Sequence, residues 1–221
     1  MSTIGKRIND IKASLPKGVT LVAVSKFHPV EALQEAYDCG QRAFGESRAN
    51  ELVAKASALP HDVEWHFIGH LQTNKVRSII PHASLIHSID SEKLLRLVDS
   101  EARRIGRTVD VLLQVHVARE ETKFGFTPQE LDDLAASGII PSLGNIRVRG
   151  VMGMASNVDD ETRIRQDFRD IARAFDNLRK TTGIETLDTI SMGMSHDYMT
   201  AIDEGSTMVR IGTTIFGERE Y

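Results

Sequence analysis

Two kinds of segment alternate along the chain. Short apolar runs rich in β-branched residues are followed by longer stretches whose apolar positions recur with helical spacing. The predicted strands are Val19–Lys26, Arg42–Ser47, Glu64–Gly69, Ser84–Asp90, Val109–Val117, Ile146–Ala155, Thr189–Gly193 and Met208–Gly217. The predicted helices are Ile4–Leu15, Pro29–Cys39, Arg48–Leu59, Leu71–Ile80, Ser91–Ile105, Pro128–Ser137, Asp159–Thr182 and His196–Glu204. This alternation predicts repeated βα units.

The strand patterns favour a closed α/β architecture. Runs such as Leu21–Val24 and Val111–Leu113 are apolar at every position, which is typical of parallel strands covered by helices. Eight βα units predict a (β/α)8 TIM barrel, with the extra helix at the N-terminus and one domain over residues 1–221. A doubly wound open sheet is the alternative. It is less favoured because no glycine-rich fingerprint follows the first strand.

Composition narrows the function classes. The 221 residues include 27 Lys+Arg and 31 Asp+Glu, so the net charge is −4, and 41% of residues are hydrophobic. Without a basic block, we expect neither a nucleic-acid nor a membrane partner. Cys39 is the only cysteine, and no His, Asp and Glu set has ligand spacing, so we expect neither a disulfide nor a metal site. With no signal-peptide pattern at the N-terminus, a cytoplasmic protein is expected.

The first predicted strand ends in a lysine. In a barrel of this kind the active site lies at the carboxyl ends of the strands. Lys26 follows four apolar residues and shares a strand face with Val22 and Val24. Partial desolvation there favours the neutral amine, the form that attacks an aldehyde to give a Schiff base. A lysine that merely reaches solvent at a strand end is the alternative.

The last two predicted strands carry a second signal. Arg210 sits inside an apolar run, where a guanidinium is costly unless an anion or another acceptor meets it. Gly212 and Thr213 follow it with backbone amides and a hydroxyl, and Ser195 lies just beyond the seventh strand. The loops after the last two strands are the usual phosphate site of this fold, so these segments predict one phosphate. A buried structural ion pair is the alternative for Arg210.

Two histidines could also point into the barrel. His66 and His116 lie within or next to apolar strand segments. We interpret them as hydrogen-bonded core residues rather than catalytic groups, because that is the commoner role of a buried histidine.

Together these segments closely resemble the YggS/PROSC family of pyridoxal phosphate homeostasis proteins, over nearly the whole chain. The matching pieces are Leu21–Lys26, Ala43–Glu46, Trp65–Gly69 with Leu71–Lys75, His87–Asp90, Arg149–Met152, Ser191–Ser195 with Asp197, and Gly205–Gly212 with Ile215–Gly217. Each piece is weak alone, and the set is specific.

The resemblance implies a barrel similar to the N-terminal domain of alanine racemase, with pyridoxal 5′-phosphate (PLP) bound at its mouth. By position, Lys26 looks like the Schiff-base lysine, and Arg210 matches the arginine facing the pyridine nitrogen. Ser195, Gly212 and Thr213 match the phosphate-binding positions, and Met194 is expected to add its backbone amide.

Three positions depart from the family pattern. Ser47 and His116 stand where asparagine is usual, and His70 stands where proline is usual. These changes alter the expected polar lining of the pocket but not the expected cofactor.

Arg210 also bears on activity. We expect it to stay protonated at any reachable pH, so it neither gives the pyridine nitrogen a proton nor takes one. The ring is then a weak electron sink, which disfavours most PLP chemistry. We therefore expect a non-catalytic PLP carrier that supplies apoenzymes and is a monomer. A PLP-dependent racemase-like enzyme is the alternative, although no second domain that could supply another base is expected after Tyr221. A Schiff-base aldolase acting on a phosphorylated sugar is a third hypothesis.

Overall fold

A closed barrel of parallel strands forms the centre of the molecule. The computed structural model describes residues 2–117 and 124–217. Its strands are β1 Thr20–Val24, β2 Ala43–Glu46, β3 Glu64–Phe67, β4 Ala83–Ile89, β5 Val109–Val115, β6 Ile146–Gly153, β7 Thr189–Ser191 and β8 Met208–Ile211. They pair in chain order, and β8 pairs with β1 to close the sheet. The predicted barrel is confirmed and the open-sheet alternative is wrong.

Helices surround the barrel and follow most of the strands. They are α1 Thr3–Ser14, α2 Val30–Asp38, α3 Ala49–Ala58, α4 Val76–Ile79, α5 Glu92–Arg104, α6 Pro128–Ala136, α7 Ile139–Ser142, α8 Glu161–Thr182, α9 Tyr198–Asp203 and α10 Thr213–Phe216. Local sequence sets their starts. Ser91 caps α5 through Leu94 N–H, and Thr127 forms a capping box with Glu130 before Pro128.

Alternation along the strands separates two apolar clusters. In β1, Leu21 and Ala23 belong to the large core between the barrel and the helices. Val22 belongs instead to a smaller cluster with residues of β2, β4, β5, β6 and β8, because successive side chains point to opposite faces. That small cluster fills the barrel interior. Its buried members are Val22, Ala43, Leu85, Leu112, Met152 and Met208.

The last predicted strand is wrong over its second half. β8 ends at Ile211, and Thr213–Phe216 forms the short helix α10. At Gly212 the backbone turns out of the extended conformation, with φ −119° and ψ −72°. A Cβ there would lie 3.0 Å from Val24 O, so glycine suits this turn, which passes close to the end of β1.

Other boundaries differ more modestly. The predicted helix over Leu71–Ile80 is a 3-10 turn at Thr73–Lys75 followed by α4. Helix α9 begins at Tyr198 rather than at His196, and α7 was not predicted. Among the described helices, none is both long and apolar enough to span a bilayer. That residues 1–221 constitute one domain remains a prediction.

Candidate functional site

One cavity opens where β1, β7 and β8 end. Its volume is about 280 Å³, close to the lower end of the range for small-molecule sites. Every site residue predicted from the sequence lines it: Lys26, Met194, Ser195, Arg210, Gly212 and Thr213. The lysine and the expected phosphate cradle therefore meet at the same end of the barrel.

Lys26 lies in the turn after β1 and is half-buried. The residue before it, Ser25, is fully buried, and its hydroxyl donates to Oε1 of Glu46 at 2.7 Å. Burial raises the pKa of Glu46, an effect that Lys55 and the Ser25 hydroxyl partly oppose. Lys26 thus extends from a backbone that is anchored below the cavity.

Arg210 lies on β8 with only 5% of its surface exposed. Its Nη1 donates to Ser191 O and Ser191 Oγ, both at 2.7 Å, and its Nη2 donates to Gly153 O at 3.0 Å. Within the described residues Arg210 forms no ion pair, so this part of the structure gives the ion-pair alternative no support. These bonds engage three of the five guanidinium N–H groups, and Arg210 also lines the cavity.

Burial lowers the pKa of Arg210 to about 10, against the opposing effect of the Asp197 carboxylate. The guanidinium therefore stays charged at neutral pH. Burial weakens the preference of this cation for its proton without removing the charge, because a guanidinium keeps its proton even in a protein interior.

A buried hydrogen-bonded chain supports Arg210 from inside the barrel. The Ser191 hydroxyl accepts from Arg210 and lies 3.0 Å from Nδ1 of His87, whose Nε2 lies 3.0 Å from Nδ1 of His66. The histidine tautomers set which atom donates in each of these two contacts, because the Ser191 oxygen can accept a second hydrogen bond beside that of Arg210. Burial lowers the pKa of His66 to about 4 and, with the His66 and Arg210 charges, lowers that of His87.

The prediction for His66 is thus confirmed, since the residue is buried and hydrogen-bonded. His116 is half-buried, and its Nε2 finds no partner among the described residues, contrary to expectation. His87 was not assigned to the site from the sequence. The signal that could have found it is strand alternation, which turns His87 of β4 to the same side as Leu85, into the barrel.

The expected phosphate side of the cavity is made by two chain turns. Ser195 and Thr213 line it with hydroxyl-bearing side chains, and the Thr213 amide opens α10, where it has no acceptor within the helix. The Met194 amide was expected to join them. It donates instead to Oδ1 of Asp197 at 2.5 Å, which fixes the turn before α9, so Met194 lines the cavity without offering that amide.

Residues outside the predicted site also line the cavity. Ile68 and Met154 form part of the wall, and Ser47, noted only as a departure, lines it too. His70 lies outside this cavity, where it stacks on Phe124 with ring centroids 3.7 Å apart and approaches Asp90 at 3.1 Å.

Two further histidines, His28 and His196, line the cavity. They could have been predicted from the sequence, because they lie close to Lys26 and Ser195 in the chain. His28 stacks on Phe216 with ring centroids 4.9 Å apart. His196 is exposed, with Nε2 3.3 Å from Oδ2 of Asp197. Across the described ranges, no three His, Cys, Asp or Glu side chains gather in a way that could hold a metal ion.

Comparison with known proteins identifies the family. The family described as the alanine racemase N-terminal domain matches residues 1–220. A protein of Aquifex aeolicus (strain VF5), named pyridoxal phosphate homeostasis protein, is 41% identical over 202 residues, which cover 91% of this chain and 87% of that protein.

Solved structures agree with this assignment. PipY of Synechococcus elongatus PCC7942, solved with PLP bound, is 35% identical with a TM-score of 0.87, covering 97% of this chain and 100% of PipY. Alanine racemase of Clostridium difficile 630 superposes with a TM-score of 0.79 at 15% identity, over 99% of this chain and 57% of the racemase, a likeness of fold alone. The chain therefore belongs to the family of pyridoxal phosphate homeostasis proteins, built on the fold of the alanine racemase N-terminal domain.

Proposed function

We propose that this protein binds PLP in the cavity at the barrel mouth and holds it for delivery to apoenzymes, without strong catalysis of its own. One observation carries the proposal. An amine, a buried guanidinium and a set of hydroxyl and amide donors, from the ends of three strands, line a single cavity. The names of the relatives and the PLP-bound PipY structure support it.

The residues present fit this cofactor. Lys26 would take the aldehyde end, where PLP supplies a carbonyl that an amine can capture covalently. Arg210 would face the pyridine nitrogen with the two N–H groups that its protein acceptors leave over. Ser195, Thr213 and the amide that opens α10 would hold the phosphate, in the loops where this fold usually binds one.

The chemistry of Arg210 favours storage over turnover. With its pKa lowered by burial to about 10, Arg210 donates a hydrogen bond but keeps its proton at neutral pH. The pyridine nitrogen would then remain unprotonated, which weakens the ring as an electron sink. Lys26 is only half-buried at the mouth of the barrel. That position also favours storage, because a carrier must be able to release its cofactor.

A visible spectrum, followed by borohydride reduction and peptide mapping, tests the site. We expect a yellow protein whose reduced adduct maps to Lys26, and a Lys26→Ala variant without the chromophore. Lys75→Ala is the matched control, because Lys75 is also half-buried but lies outside this cavity. A chromophore retained in Lys26→Ala, with the adduct on another lysine, would refute the assignment. A colourless protein that turns over a phosphorylated sugar would favour the aldolase hypothesis.

A second test separates a carrier from a racemase-like enzyme. His28 and His196 are the cavity-lining side chains in the described part that could act as a second base beside Lys26. The loaded protein is incubated with L-alanine in deuterated water and, separately, with an apoenzyme. We expect the apoenzyme to gain PLP and activity. Rapid Cα deuteration with loss of optical rotation would instead establish the racemase alternative.

A further inference from the structure

The turn that carries Lys26 has an unfavourable backbone conformation. Phe27, the next residue, has φ +69° and is the only residue other than glycine with a positive φ in the described ranges. For a bulky L-residue this left-handed conformation costs on the order of 1–2 kcal/mol. Such a conformation persists only where surrounding contacts hold it.

Those contacts reach the peptide groups on both sides of Lys26. The Phe27 N–H donates to Oε2 of Glu51 at 2.8 Å. The ammonium of Lys55 donates to the Ser25 carbonyl at 2.9 Å. The backbone is therefore pinned immediately before and immediately after the lysine.

The pinning groups form one cluster in which Lys55 and Glu46 are buried and Glu51 is partly exposed. Lys55 Nζ also contacts Oε1 of Glu46 at 2.7 Å and Oε2 of Glu51 at 3.2 Å, and its side chain is only 7% exposed. Glu46 is fully buried. With so little water around them, Lys55 and Glu46 cannot exchange partners cheaply. Removing one partner leaves another uncompensated.

One further charge completes the cluster. Arg48 Nη1 lies 3.7 Å from Oε1 of Glu51, and its guanidinium lies over the Phe27 ring at 4.4 Å. Although burial alone would raise the pKa of Glu51, the Phe27 N–H and the Lys55 ammonium bring it below its usual value. Glu51 is thus a stable anion with both oxygens engaged.

We propose that Glu46, Glu51 and Lys55 are positioning residues that aim the amine of Lys26 into the cavity. This inference rests on the proposed function. If Phe27 relaxed to an ordinary conformation, the backbone at Lys26 would rotate and its side chain would leave the cavity. Misplacement of a reacting group by about 1 Å can cost on the order of 100-fold in rate. The cluster therefore governs the rate at which PLP is captured covalently, and not the cavity's hold on the phosphate.

Two ligands separate these effects. The rate of chromophore formation with PLP reports covalent capture by Lys26. The affinity for pyridoxine 5′-phosphate, which lacks the aldehyde, reports the phosphate and ring contacts alone. For Glu51→Ala we expect capture to slow by about 10-fold or more, with pyridoxine 5′-phosphate affinity unchanged within about 2-fold. Glu51→Gln keeps an oxygen acceptor for Phe27 N–H and should remain much closer to the parent.

The control is a comparable carboxylate elsewhere. Asp167 is fully buried, accepts from Ser156 N–H at 2.7 Å and pairs with Arg163 four residues earlier in α8. Asp167→Asn should lower stability without slowing capture. Should Glu51→Ala not fold, Glu51→Asp replaces it, because its shortened side chain keeps the charge but no longer reaches Phe27 N–H.

The outcomes are distinct. Parental capture rates in Glu51→Ala or Glu51→Asp would overturn the inference. So would an equal loss of capture rate and of pyridoxine 5′-phosphate affinity, since that pattern indicates general damage to the cavity. If the parent itself forms no Lys26 adduct, the proposed function fails, and this result is separate from any effect at Glu51.

Discussion

His66 is buried in the barrel interior, where its Nδ1 lies 3.0 Å from Nε2 of His87 and its lowered pKa keeps the ring neutral at pH 7. Replacing it with glutamine retains a side chain that can accept from His87 but removes the titratable group. We expect His66→Gln to make folding stability less sensitive to mild acid.

The magnitude follows from the pKa of the folded state. Burial lowers the pKa of His66 from 6.5 to about 4. Between these values the unfolded chain binds a proton that the folded chain does not, so stability is full above pH 6.5 and falls as the pH drops towards 4. The slope is about 1.4 kcal/mol per pH unit, and going from pH 7 to pH 5 removes about 2 kcal/mol through His66 alone. His87 acts in the same direction, because its pKa is lowered too.

Urea unfolding of the PLP-free protein at pH 7 and pH 5 measures the effect. The parent should lose about 2 kcal/mol more between the two pH values than His66→Gln loses. The comparison cancels the carboxylates that both proteins share. His61→Gln, at an exposed position, should behave like the parent. An equal loss in parent and His66→Gln would mean that His66 protonates as readily in the folded state as in the unfolded chain, and would refute the reasoning.

Three further variants test other contacts. Arg210→Ala removes the cation and its hydrogen-bond donors. Equilibrium dialysis should therefore show weaker PLP retention, while the Lys26 adduct still forms in excess PLP. Unchanged retention would contradict the proposed role of Arg210. Gly153→Ala places a Cβ 2.4 Å from Cδ1 of Ile171 and should lower the free energy of unfolding by about 1–3 kcal/mol. Adding Ile171→Val should recover part of that loss, and no loss at all would count against the tight packing. Asp197→Ala leaves the Met194 amide without its acceptor and should cost about 1–3 kcal/mol, whereas Asp197→Asn, which keeps an oxygen, should cost less.

Most of the barrel could be predicted from local pattern. The apolar runs of β1 and β5 read as buried parallel strands, and the caps at Ser91 and Thr127 fixed where α5 and α6 begin. The segment after β8 could not be predicted this way. Ile215 and Phe216 continue an apolar run, so the pattern predicts strand where the chain turns at Gly212 into α10, at a place where the end of β1 leaves little room for a Cβ.

The candidate site also has residues that the sequence reveals and residues that it does not. Lys26 and Arg210 are visible in the sequence because a charged residue within or at the end of an apolar strand requires a reason. Their partners are not visible. His87 and Ser191 are 104 residues apart in the chain, and their contact exists only because β4 and β7 point side chains into the same barrel interior.

What the sequence by itself determined is the alternation of βα units, the family, and the residues whose chemistry suits PLP, since each depends on residue type and spacing along one strand or loop. The tertiary structure alone decided which of these residues share a cavity and which donors remain free to meet a ligand. Arg210 could have offered every N–H to the cavity, but closure of the barrel brings the carbonyls of Gly153 and Ser191 beside it. The Met194 amide is likewise taken by Asp197. The physical reason is that buried donors must be satisfied by whatever acceptors folding brings near, and those neighbours are set by strand pairing rather than by local sequence.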